Sequence, residues 1–154
     1  MTDAEHEQLQ SRIQTIADAW QKPLGLRWWH ISFYYHRDSA AFHESCPDDI
    51  SLESMAYTSA SWAYLDAAVH FNLPLLTHSD DTELEEMVVH EYMHIIVHEM
   101  RAGTRCDCEY DIRHEERVCT MLARAFVWTK EHFSHTADPE KTCTPQKGTV
   151  PDAG

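Results

Sequence analysis

A chain of 154 residues with 43% apolar residues can bury the core of one domain. Its formal charge of −14 argues against nucleic-acid backbones and anionic membranes as partners. Met1 to Gln10 is polar and acidic rather than signal-like, and no apolar run reaches the roughly 18–20 residues of a membrane span, so a cytoplasmic protein is expected. The cysteines, Cys46, Cys106, Cys108, Cys119 and Cys143, are odd in number, which disfavours a disulfide framework in a chain of this size.

Asp3 to Gln21 carries Leu9, Ile13, Ile16, Ala17 and Trp20 near one helical face, and Lys22-Pro23-Leu24-Gly25 ends that helix. Leu26 to His36 is rich in Trp, Ile, Phe and Tyr and is predicted to be a strand. Arg37 to Glu53 is polar, contains Pro47 and is predicted to be a loop; His36, His43 and Cys46 could be ligands by chemistry, but no spacing singles them out. Two further strands are predicted over Ala56 to Trp62 and Tyr64 to Phe71, the second with Ala67 and Val69 on one face and Ala68 and His70 on the other. A strand just before the next helix could present an edge to an extended peptide.

Asp80 to Arg101 reads as a long helix without Pro or Gly, capped by Ser79, Asp80 or Asp81 and stopped at Gly103. Val88, Val89, Met93, Ile95, Ile96 and Val97 predict that it is buried on nearly every side. Within it lies His90-Glu91-Tyr92-Met93-His94, an H-E-x-x-H. Residues i and i+4 share a helix face, so His90 and His94 can offer two imidazole nitrogens to one ion. Glu91, turned about 100° from His90, can face a metal-bound water and take its proton. Zinc lowers the pKa of such a water to about 7. His98 lies one turn further on a similar face. Chance alone can produce this motif in a chain with 12 histidines. Two histidines and a glutamate in an otherwise apolar helix, however, would be costly without a partner.

After a connector containing Cys106-Asp107-Cys108, a second long helix is predicted over Ile112 to His132, with Val118, Cys119, Leu122, Ala123, Phe126 and Val127 on its apolar side. The C-x-C has no second pair at zinc-site spacing, so its thiols are expected to be ordinary loop residues. A two-histidine zinc site needs a third protein ligand. The extended metzincin pattern is excluded, because Met100 and Val97 stand where it needs His and Gly. The remaining source is His114-Glu115-Glu116 at the start of the second helix, brought back by a helical hairpin. Glu115 lies nearer the centre of the apolar face. Glu116 has the small residues Cys119 and Ala123 at i+3 and i+7, which would admit a close helix. That spacing favours Glu116 and leaves Glu115 as the alternative. Tyr110 and His114 are candidates for stabilising an oxyanion. From Ser134 onward the chain is polar and is expected to be a disordered tail, leaving residues 1–133 as the domain.

From about Ala67 to Val127, a strand, DDTELEEMVVHEYMH, a connector and EERVCTMLARAF follow one another. This order resembles the gluzincin-type plan, and among small proteins it is similar to ImmA/IrrE-like and phage- or prophage-encoded minimal zincin metallopeptidases. The resemblance implies an α+β, zincin-like fold, in which a small sheet of roughly three strands packs on an N-terminal helix, an active-site helix and a glutamate helix. It also implies zinc-dependent hydrolysis of a peptide or protein substrate, with His90, His94 and Glu116 as ligands and Glu91 as base. The short, Cys-bearing connector departs from the family, and no DNA-binding region precedes the motif. The competing expectations are a non-catalytic, zinc-stabilised binding or assembly module of phage or prophage origin and a hydrolase of non-peptide bonds.

Overall fold

A computed structural model describes residues 2–47, 50–101 and 109–133. Cys106, Cys108, Gly103 and the tail from Ser134 lie outside the described residues, so the expectations attached to them find no counterpart here. The fold is α+β: a three-stranded mixed sheet, one face of which is covered by helices.

Helix α1 spans Asp3–Gln21 and starts with a reciprocal capping box, in which the Thr2 hydroxyl accepts from Glu5 N–H and Glu5 reaches back to Thr2 N–H. Of its predicted apolar stripe, Leu9, Ile13, Ala17 and Trp20 are buried and Ile16 is partly buried against the same core. Strand β1 is shorter than predicted and covers His30–His36. Gly25, in the left-handed region at φ 77°, turns the chain into a short 3-10 turn over Leu26–Trp28 before the strand begins. The predicted loop after β1 contains a short helix, α2, at Ser39–Glu44. Asp38 caps it, and Phe42 is its one buried side chain. So short a segment carries too little periodicity to be read as a helix from sequence.

Strands β2, Ala56–Ser61, and β3, Asp66–Asn72, form an antiparallel hairpin. The predicted third strand loses its first two residues, because Tyr64 and Leu65 belong to the turn and Leu65 adopts φ 54°. β3 also pairs with β1 in parallel, so the sheet order is β1-β3-β2. This corrects an expectation of consequence. β3, the strand nearest the motif helix in sequence, is central and offers no edge, and the edge on that side of the sheet belongs to β2.

Ala67, Val69 and Phe71 of β3 face the core, with Ile31, Phe33 and Tyr35 of β1 packed beside them. A four-residue helix, α3 (Leu73–Leu76), leads from β3 to α4, Asp81–Arg101. Of the candidate caps, Asp80 is the one used: its carboxylate accepts from Glu83 N–H, and the Glu83 carboxylate accepts from Asp80 N–H. α4 packs between α1, β2 and the last helix, α5 (Glu109–Phe133). Its burial is less complete than predicted. Val88, Val89, Met93 and Ile95 are buried, whereas Ile96 is exposed.

Tyr92 and Glu85 tie α4 to its neighbouring helices by polar contacts. The Tyr92 hydroxyl donates to the Ala17 carbonyl of α1, a buried bond of the kind that contributes about 1 kcal/mol. Glu85 accepts from the Trp20 indole of α1 and pairs with Lys130 of α5. The line of α5 that enters the core is Cys119, Ala123 and Val127, while Leu122 and Phe126, expected on the apolar side, are exposed. The packed line thus consists of two small residues and a valine, which lets α5 approach α4 closely along the turns that follow Glu116.

Candidate metal centre and cleft

His90 and His94 stand one turn apart on α4 with their rings edge to face, and their Nε2 atoms are 3.0 Å apart. The hairpin brings the first turns of α5 over them. Glu116 lies 3.3 Å from each Nε2, with Oε2 toward His90 and Oε1 toward His94. These three side chains present one ligand atom each within 4.8 Å of one another, close enough for a single metal ion.

Glu115 turns to the other side of the same ring. Its Oε1 is 2.9 Å from His94 Nδ1, and the buried Cys119 thiol is 3.6 Å from that nitrogen. A second potential donor group, His94, Glu115 and Cys119, therefore exists on the reverse of the imidazole. The two adjacent glutamates, alternatives for one role in the sequence, divide the two nitrogens of His94 between them. Thr120 approaches His90 Nδ1 at 3.4 Å, so each ring has a polar neighbour behind it.

Glu91 is almost fully buried, with 5% of its surface exposed. It sits beside the histidine pair, and its Oε2 accepts a hydrogen bond of 2.7 Å from the Thr58 hydroxyl on β2. Cross-strand pairing explains why Thr58 is there. It pairs with the buried Val69, and directly opposed residues share a face, so Thr58 points from the sheet toward α4.

Charge dominates the site. Burial pushes the Glu91 carboxyl above its ordinary value, while His94, His90 and the Thr58 hydroxyl pull the other way. His90 and then His94 hold the Glu116 carboxyl well below the usual carboxylate range. Burial opposes a charge on His94, but Cys119, Glu115 and Glu116 outweigh it and push its pKa up to about 12. The carboxylates thus create a strong demand for positive charge between the two imidazoles. A proton can meet that demand, and a divalent cation can meet it more fully.

A cleft of about 970 Å³ opens over this group. Met55 and the β2 residues Ala56 to Ala60 form one wall, and the α4–α5 hairpin, including His98, Thr120 and Ala123, forms the other. Of the remaining candidates, His114 is exposed and is not among the described residues lining the cleft. The side chain of Tyr110 lies outside the described residues. His36 instead bonds His70 at 3.0 Å on the sheet face away from α4. His43 stacks edge-on against Phe42, and neither His36, His43 nor Cys46 joins a ligand cluster among the described residues.

Sequence reasoning missed Thr58 and the contact of Glu115 with His94 Nδ1. The first depends on strand register and the second on how the hairpin closes. No helix among the described residues is long and apolar enough to cross a membrane. In comparisons with family models, with curated proteins and with solved structures, nothing matches this chain.

Proposed function

We propose that this chain is a minimal zincin-like, zinc-dependent hydrolase of peptide bonds. The observation that carries the reading is the convergence of His90 Nε2, His94 Nε2 and the Glu116 carboxylate beside a buried, non-converging Glu91 at the floor of a cleft walled by a strand edge. The donor set suits the metal. A tetrahedral zinc with ligand bonds of about 2.0–2.1 Å separates its ligand atoms by about 3.3 Å. In this chain the two Nε2 atoms are 3.0 Å apart, and each lies 3.3 Å from a different oxygen of the Glu116 carboxylate, Oε2 for His90 and Oε1 for His94. Two imidazoles and one carboxylate leave a fourth position for water or substrate, the pattern of a catalytic rather than a structural site.

In this reading His90, His94 and Glu116 hold the ion, and Glu115 accepts from His94 Nδ1–H, fixing the tautomer that leaves Nε2 free to ligate. When bound, zinc would polarise the scissile carbonyl and lower the pKa of an attacking water to about 7. Glu91 takes the proton of that water and delivers it to the leaving amine. Its burial suits the second half of that task, since a carboxyl raised by desolvation holds a proton long enough to transfer it. β2, lying along the cleft, receives the substrate as an added extended strand. A zinc-stabilised binding module would have no use for a buried carboxylate beside the ion that is not a ligand.

Exposure of the purified chain to an unbiased peptide library tests the proposal. Cleavage products are expected with zinc, none after chelation, and the same products once zinc is restored. An intact library under all three conditions would refute peptide hydrolysis.

The two glutamates have different expected signatures. Glu116→Ala removes a ligand and should weaken zinc binding by at least on the order of 100-fold. Glu115→Ala removes only support for His94 and should cost about 10- to 100-fold. Competition titration against a chelating dye measures both, and the opposite ranking would assign the ligand role to Glu115.

A further inference from the structure

We propose that Thr58 is the positioning residue for Glu91, an assignment that rests on the hydrolase reading above. The contact is direct, 2.7 Å from the Thr58 hydroxyl to Glu91 Oε2. A buried carboxylate needs donors, and the sheet supplies this one from a side chain rather than from the backbone. That choice matters because Thr58 lies on β2, the edge strand that walls the cleft. A side-chain donor makes no demand on the outer backbone edge of β2, along which an extended substrate would lie.

The hydroxyl anchors Oε2 and restrains the carboxylate, leaving Oε1 as the oxygen that would meet the reacting water. Threonine suits the task better than serine. Its β-branch stiffens χ1, and the pairing of Thr58 with Val69 holds the strand itself in register over α4. Glu91 is thus held from two sides, by its own helix and by the strand along which the substrate would lie. A shift of β2 on substrate binding would be felt directly at the base.

Two measurements test this, on the full chain. The first is the carboxyl ¹³C resonance of Glu91 in metal-free protein labelled at glutamate, assigned by its loss in Glu91→Gln. Thr58→Val and Thr58→Ala should displace it, and Thr58→Ser should return it close to its original position. Valine is isosteric and a good strand former, and alanine gives a second hydroxyl-free variant should valine disturb the packing. The second is hydrolysis of a responsive peptide by the zinc-loaded variants. kcat should fall on the order of 10- to 100-fold in Thr58→Val with KM nearly unchanged, since a misaimed base costs the transition state and not substrate binding. Thr58→Ser should recover most of the loss. An unmoved resonance in both hydroxyl-free variants, or an unchanged kcat, would overturn the assignment. A wild-type chain that cleaves no peptide would instead remove the hydrolase reading, and with it the catalytic role of Thr58, even if the resonance moved.

Discussion

Under the proposed function, Glu91→Gln is expected to cut peptide hydrolysis by about 100-fold or more while leaving zinc binding intact. The substitution keeps the size of the side chain and an oxygen that can still accept from Thr58, but it removes the proposed base. A positioned general base is worth on the order of 10²- to 10⁴-fold, so kcat should fall by at least about 100-fold. Zinc content should not change, because the three converging donors belong to His90, His94 and Glu116. Thermal stability should be nearly unchanged as well. Burial already disfavours the charged form of Glu91, and a neutral amide in its place loses little. Metal analysis, a melting curve and peptide kinetics on the same preparation check all three. Loss of zinc would make Glu91 a ligand, and full activity would remove it from the chemistry.

The second large effect concerns the metal itself. The wild-type chain should bind about one zinc, and the double variant His90→Ala/His94→Ala almost none, since one carboxylate cannot hold the ion alone. Elemental analysis after gel filtration reads this directly. The double variant also leaves Glu115 and Glu116 without their imidazole partners at the start of α5. The α4–α5 hairpin should then be the first part of the fold to open, as increased amide exchange along its first turns. Unchanged zinc content would locate the ion elsewhere, with Cys106 and Cys108 in the connector the next donors to remove.

Much of the centre was legible because it is encoded within single helices. The i, i+4 spacing of His90 and His94 and the flank position of Glu91 follow from 3.6 residues per turn alone, whatever the rest of the chain does. The small residues after Glu116 were legible for a related reason: Cys119 and Ala123 mark a line along which a helix can approach closely, and both are buried against α4. The apolar stripe of α1 likewise survived into the fold, with Leu9, Ile13, Ala17 and Trp20 buried and Ile16 partly so. The α+β class and a sheet of three strands also follow from local pattern; the errors are the short helix at Ser39–Glu44, read as loop, and ends such as Leu26–Trp28 and Tyr64–Leu65, where a turn takes residues of strand-like composition.

What depended on tertiary structure was every relation between elements. β3 becomes the central strand because β1 pairs with it in parallel from the far side, and no local pattern specifies strand order. β2 therefore carries the edge, and its register against β3 decides that Thr58 rather than Tyr57 or Ser59 reaches Glu91. Glu115 and Glu116 are neighbours of identical chemistry, and only the angle at which α5 returns over α4 sends one to Nδ1 and the other to Nε2 of His94. Periodicity is a property of one helix or strand and is written in consecutive residues. The choice between two adjacent carboxylates, or between two edges of a sheet, is set by contacts between residues far apart in the chain, whose geometry exists only once the core has packed.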